Sequence, residues 1–149
     1  MTEQTTKVFQ IYIRTAPERI WKAITDPDFT ARYFYGGRVE STFEPGAQIV
    51  YRAAGRDGLD ADGEVLESDP PRRLVYTWRS LWTPELAAER ASRVTWQIEP
   101  EADAQGVCRV TLTHDGLAES PKTAAVIDGW SFVLSGMKTL LETGEPLTR

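Results

Sequence analysis

Residues 120–144 read SPKTAAVIDGWSFVLSGMKTLLETG. Ser120-Pro121 is a helix start, because proline at the first helical position gives up only an N–H that has no partner there. Gly144 stands just past the end, where a left-handed residue closes the last turn. Between them Val126, Ile127, Trp130, Val133, Leu134, Met137, Leu140 and Leu141 recur at helical spacing and make one apolar stripe. The spacing predicts one helix of roughly 20 residues, about 30 Å long. Such a stripe must be buried against something, and the preceding sequence supplies it. Arg73–Arg79 alternates, with Leu74, Tyr76 and Trp78 on one face and Val75, Thr77 and Arg79 on the other. Arg93–Ile98 repeats the pattern with Val94, Trp96 and Ile98 inside. Arg109–His114 repeats it again with Val110, Leu112 and His114 inside. Period two with one polar face predicts an antiparallel sheet covered on one side, and the helix is its cover.

Working outward, Lys7–Arg14 alternates as a first strand. Thr15-Ala16-Pro17-Glu18 reads as a capping box, with Thr15 as N-cap of a helix carrying Ile20, Trp21 and Ile24. Asp26-Pro27 ends that helix and starts a second, with Phe29, Tyr33 and Phe34 apolar, which Gly36-Gly37 breaks. Val39–Phe43, Gln48–Ala53 and Asp62–Ser68 are then short strands, punctuated by Pro45-Gly46 and an Asp/Gly-rich loop. The expected class is α+β, in the order β-α-α-β6-α, a curved antiparallel sheet wrapped around a long C-terminal helix. Leu81–Ala91 is a longer insertion with an exposed-looking Trp82; it can be a lid, an interface or a packed loop. Gly129 and Gly136 share one side of the helix and signal either close packing or room for a ligand.

The chain has 149 residues, a length that predicts a single domain over 1–149. Normal apolar content and a net charge of −5 argue against disorder. One cysteine excludes an internal disulfide, and no apolar run is long enough to span a bilayer, so no membrane insertion is expected. The N-terminal MTEQTTKVFQ lacks the pattern of a secretory signal, so the expected setting is cytoplasmic. An acidic balance of 17 basic to 22 acidic residues, without a basic run, argues against nucleic acid as a partner. Many Arg and no Asn suggest a bacterium of high GC content.

One His and one Cys remove most catalytic templates. His114 and Cys108 cannot build a three- or four-ligand zinc site, so no metal is expected. There is no G-x-S-x-G elbow and no glycine-rich phosphate loop, so no catalytic set and no cofactor is expected. Asp57–Gly63 resembles a calcium loop only superficially, because Gly58 falls where the first carboxylate should be; it reads as a hairpin loop. Cys108 reads as a small buried hydrophobe. His114 reads first as a satisfied core histidine or a residue at a strand's wet end. A ligand contact comes second, and acid/base catalysis third, because a catalytic imidazole needs an orienting partner.

APERIWKAITDPDFTARYF, GEVLESDPPRRLVYTW, SRVTWQIEP, VTLTHDGL and GWSFVLSGMKTLLETG occur in this order across nearly the whole chain. Together they resemble the single-domain relatives of the Hsp90-ATPase-activator C-terminal domain (AHSA1-like), within the START/Bet v 1-like SRPBCC superfamily. The resemblance implies the helix-grip fold, with a cavity between sheet and helix that holds lipids, polyketides or other apolar molecules in various members. Phe34, Tyr51, Tyr76, Trp78, Trp96, His114, Trp130, Leu134 and Met137 are the residues expected to meet such a ligand. Their buried indole N–H and phenol O–H groups need partners, which favours a pocket that is not wholly apolar. Non-catalytic binding of a small hydrophobic molecule is the leading function. A chaperone contact or stress-related interaction module, with Trp82 as anchor, is the first alternative. A cyclase or hydrolase using His114 is the second. A homodimer is compatible with all three.

Overall fold

In the computed structural model, which describes residues 4–55, 57–118 and 120–148, the chain forms β1 (Gln4–Ile13), α1 (Pro17–Thr25), α2 (Pro27–Tyr33), β2 (Arg38–Glu40), β3 (Gln48–Arg52), β4 (Leu59–Asp69), β5 (Arg73–Ser80), α3 (Pro84–Ala87), β6 (Ser92–Pro100), β7 (Cys108–Ala118), α4 (Pro121–Ile127) and α5 (Gly129–Thr143). Seven strands make one antiparallel sheet in the order β1-β7-β6-β5-β4-β3-β2. β2 to β7 meander, and β1 returns to pair with β7. α1 and α2 carry the chain from one edge of the sheet to the other.

The alternating stretches build the inner face as expected. Leu74 pairs with Trp96 and Trp96 with Leu112; Ile98 pairs with Val110, and Val94 with His114. All seven are buried. On the outer face Arg79 pairs with Asp62, Arg93 with Asp115 and Arg109 with Glu99, each across neighbouring strands. Such solvent-exposed pairs are screened and contribute little, so burial on the inner face dominates.

Local departures from the expected elements have local causes. Thr15 is not the N-cap of α1. A residue before proline is pushed to extended backbone, so Ala16 takes that place at φ −82°, ψ 152°, directly before Pro17. Asp26 does cap α2, its Oδ1 accepting from the N–H of Asp28 at 2.8 Å. β2 stops at Glu40 rather than Phe43, which sits at φ +60° and cannot extend a strand. β4 begins at Leu59, taking in much of the expected Asp/Gly loop.

The long C-terminal helix is two segments. Ser120 caps α4, accepting from the N–H of Thr123 at 3.0 Å. The helix breaks at Asp128, directly before Gly129, the weakest non-proline helix former, and the Asp128 side chain makes no cap hydrogen bond. α5 runs to Gly144 at φ +81°. Its stripe of Trp130, Val133, Leu134, Met137, Leu140 and Leu141 is buried. Gly136 resolves as close packing: a Cβ there would stand 3.2 Å from Cβ of Tyr33 on α2. Lys138 Nζ donates to the Tyr12 carbonyl at 2.7 Å and fastens α5 to β1.

Gly63 marks a close approach of β4 to β5. A Cβ on it would lie 1.8 Å from the Thr77 carbonyl oxygen. Gly63→Ala should therefore force the two strands apart and cost about 2 kcal/mol or more in urea denaturation. An unchanged midpoint would show that the strands have slack there.

Candidate functional site

Three side chains from three elements form a floor. Phe34 follows the last turn of α2, Trp78 is the last buried residue of β5, and Trp130 lies in the first turn of α5. Trp130 meets Phe34 edge to face, with centroids 5.5 Å apart and planes at 87°. Trp78 and Trp130 stand 5.6 Å apart, and Phe34 stacks on Tyr51 at 4.7 Å. Such tilted and edge contacts suit the ring quadrupole and fix the orientation of each ring.

Above this floor lies a cleft of about 550 Å³. Its walls come from the 81–91 insertion (Trp82, Leu86, Glu89, Arg90), from α4 (Thr123, Val126, Ile127) and from the end of β7 (Leu117, Ala118). Glu89 ties two walls together. Its carboxylate accepts from Ser120 Oγ at 2.8 Å and from Thr123 Oγ1 at 2.7 Å. Trp82 is 39% exposed and lines the cleft, so the insertion is part of its wall.

The polar tips of the floor are closed within the protein. Trp130 Nε1–H donates to His114 Nδ1 at 3.0 Å. An indole N–H only donates, so Nδ1 carries no proton and the hydrogen of the neutral ring is on Nε2. That nitrogen donates to Ser92 Oγ at 2.6 Å, and Ser92 Oγ donates to the Trp78 carbonyl at 3.2 Å. A second chain runs beneath: Trp96 Nε1–H donates to Tyr76 Oη, which exchanges a hydrogen bond with Tyr51 Oη, both at 3.0 Å. Trp78 Nε1–H donates to Ser80 Oγ at 2.9 Å. Among the described residues no buried side-chain polar atom lacks a partner.

Burial sets the titration of these groups. It pushes Tyr76 up to about 12 and raises Tyr51 and Tyr33 well above the usual phenol range. It lowers His114 to about 4, against a weak opposing pull from Asp115. His114 therefore stays neutral near pH 7 with both nitrogens engaged, and this geometry offers no free nitrogen for acid/base work. Burial also raises the Cys108 thiol, which donates to the Thr15 carbonyl at 3.3 Å.

Of the nine residues singled out from the sequence, Phe34, Trp78, His114 and Trp130 line the cleft. Tyr51, Tyr76, Trp96, Leu134 and Met137 do not. They are buried behind the floor, because Phe34 stacks over Tyr51 and Trp130 stands edge-on to Trp96 at 5.9 Å. Gly129 lines the cleft against the Tyr35 ring, whose Oη would stand 3.0 Å from a Cβ there. Leu86, Glu89 and Thr123 were not anticipated. One signal pointed to them: Thr83-Pro84 repeats the cap-plus-proline start of Ser120-Pro121. Thr83 Oγ1 indeed accepts from the N–H of Leu86 at 3.2 Å. Tyr35, at φ +52°, had no such signal.

A curved antiparallel sheet gripping a C-terminal helix, with a cleft at one end, defines a helix-grip domain of the Bet v 1-like kind. A family model described as "Activator of Hsp90 ATPase homolog 1-like protein" matches residues 14–142, and the chain belongs to that family. The solution structure of the Aha1 dimer from Colwellia psychrerythraea is similar at 22% identity and TM-score 0.73, over 94% of this chain and 98% of that one. An HSP90 activator from Plasmodium falciparum is similar at 20% identity and TM-score 0.72, over 91% and 95%. CalU16 from Micromonospora echinospora is similar at 21% identity and TM-score 0.71, over 99% and 87%. A comparison with curated protein sequences gives no match. Among the described residues, no helix is long and apolar enough to cross a membrane.

The His114 network makes stability depend on pH. An unfolded histidine takes up its proton near pH 6.5, whereas the folded one does so only near pH 4. Between those values the unfolded chain binds more protons, so stability falls as pH falls through the window and is fully present above it. The gap corresponds to at most roughly 3 kcal/mol. Urea midpoints of the wild type should drop between pH 6.5 and 4.5. His114→Gln should lose most of that slope while starting from a lower midpoint. A slope of the same size in His114→Gln would assign it to other groups.

Proposed function

We propose that the cleft binds a small hydrophobic molecule of the lipid, polyketide or aromatic class, without chemistry. One observation carries this reading: an accessible space of about 550 Å³ stands over a floor of Phe34, Trp78 and Trp130 whose polar tips are already hydrogen-bonded inside the protein. Such a floor presents ring faces and edges and asks no hydrogen bond of its ligand. The volume lies in the range of small-molecule sites, roughly 300–1,000 Å³. Phe34, Trp78 and Trp130 supply the contact surface. His114 holds Trp130 in place. Tyr51, Tyr76, Trp96, Leu134 and Met137 support the floor from behind.

Neutral apolar probes, 1-naphthol and decanol, should quench tryptophan fluorescence and raise the melting temperature. Val126→Trp places a large ring in the cleft from α4, at a half-buried position outside the core. It should weaken probe binding about tenfold or more while leaving the melting temperature of the free protein within a few degrees. Equal affinity in the variant would place the probes elsewhere.

A second reading rests on the family's description and on the HSP90 activator among its structural relatives. Tyr35 and Phe132 stack at 5.5 Å while remaining 51% and 42% exposed, an aromatic pair suited to a protein contact. A homodimer of the kind named for the Colwellia relative belongs with this reading. On the ligand-binding account, adding this protein leaves the ATPase rate of an Hsp90-type chaperone unchanged. A rise that Tyr35→Ala abolishes would favour the second reading.

A further inference from the structure

The polar groups around the cleft are used unevenly. The carboxylates are engaged: Glu89 receives both Ser120 and Thr123, Asp62 holds Arg79 through both oxygens, and Asp60 is not free. Three donors on one wall are not. Arg90 lines the cleft with no carboxylate, carbonyl or ring against its guanidinium among the described residues. Among the described residues, Trp82 lines it with no acceptor at its indole N–H. Ser80 accepts from Trp78 and keeps its own O–H available. All three belong to the continuous segment 80–90, where the wall rises from the end of β5.

We infer that the ligand is an amphipathic acid. Its apolar body lies on Phe34, Trp78 and Trp130, and its carboxylate is held by Arg90, with Ser80 and Trp82 as further donors. This rests on the reading of the cleft as a ligand site and adds the polar group that the ligand must carry. The physical reason is the imbalance itself. A carboxylate brings acceptors only, and a planar guanidinium meets it through paired, charge-assisted N–H···O bonds. A cationic head would find its counter-charges occupied. A neutral hydrocarbon would leave the donors to water.

The test is isothermal titration with 1-pyrenebutyrate and 1-pyrenebutanol, which share one apolar body and differ in the head group. Wild type, Arg90→Ala and Arg90→Lys are compared, with melting curves confirming that each is folded. Wild type should bind the acid about fivefold more tightly than the alcohol, the scale of an ion pair at a partly exposed site. Arg90→Ala should erase the difference without changing affinity for the alcohol, Arg90→Lys should keep part of it, and added salt should weaken the acid alone. Equal binding of acid and alcohol by the wild type, or a preference that survives Arg90→Ala, would overturn the inference and leave the cleft reading standing. No binding of either compound would overturn the cleft reading itself.

Discussion

The hydrogen bond from the Trp130 indole to Nδ1 of His114 is a buried polar tie between the last helix and the sheet. Because the indole can only donate, this one bond decides the imidazole tautomer, and the tautomer decides the rest. The Nε2 proton must go to Ser92, and the Ser92 hydroxyl must go to the Trp78 carbonyl. The chain links α5, β7, β6 and β5 in one direction and ends on backbone. Each such bond contributes only about 1 kcal/mol net, but leaving any member without its partner inside the core costs about 1–3 kcal/mol. The relay therefore selects one packing of helix on sheet more than it adds stability.

That selection shapes the cleft. With its N–H turned toward His114, Trp130 presents a ring to the cleft, at the edge of Phe34 and beside Trp78. The lower relay, Trp96 to Tyr76 to Tyr51, does the same for the layer beneath. The floor is thus both aromatic and hydrogen-bond-closed. Polarity is left to the rim, where Glu89 fastens the insertion to α4 and the segment 80–90 carries the free donors. The division of a dry floor from a polar rim is what lets one small domain combine a packed core with an accessible space.

Much of this was legible in the sequence, and the reason is periodicity. The alternation over 73–79, 93–98 and 109–114 named the inner faces of β5, β6 and β7, because side-chain direction in a strand has period two and one register slip would reverse every residue. Helix starts at Pro17, Pro27 and Pro121 were equally readable, since proline excludes most other places. The site was half legible. Alternation put Tyr76, Trp78, Trp96 and His114 on one face, but depth within that face comes from how rings stack, which spacing does not encode. The break at Asp128 was hidden by an apolar stripe that runs through it, and the positive φ of Tyr35 and Phe43 by side chains that seldom adopt it. The need of buried indoles and phenols for partners points to a pocket that is not wholly apolar, but here these groups bond inside the protein. That they would satisfy one another depends on β6–β7 register, which puts His114 opposite Val94 and diagonal to Ser92.

The most direct measurement is the indole region of a ¹H–¹⁵N correlation spectrum during titration with a neutral apolar ligand such as 1-naphthol. The five tryptophans are built-in reporters at different places: Trp78, Trp82 and Trp130 on the cleft, Trp96 behind the floor and Trp21 on α1. A ligand over the floor should shift Trp78, Trp82 and Trp130 strongly by ring current and leave Trp21 still. Trp130 and Trp78 should keep slow N–H exchange throughout, because their bonds to His114 and Ser80 persist in the complex. Shifts centred on Trp21, or fast exchange at Trp130 in the free protein, would contradict the closed aromatic floor on which the account rests.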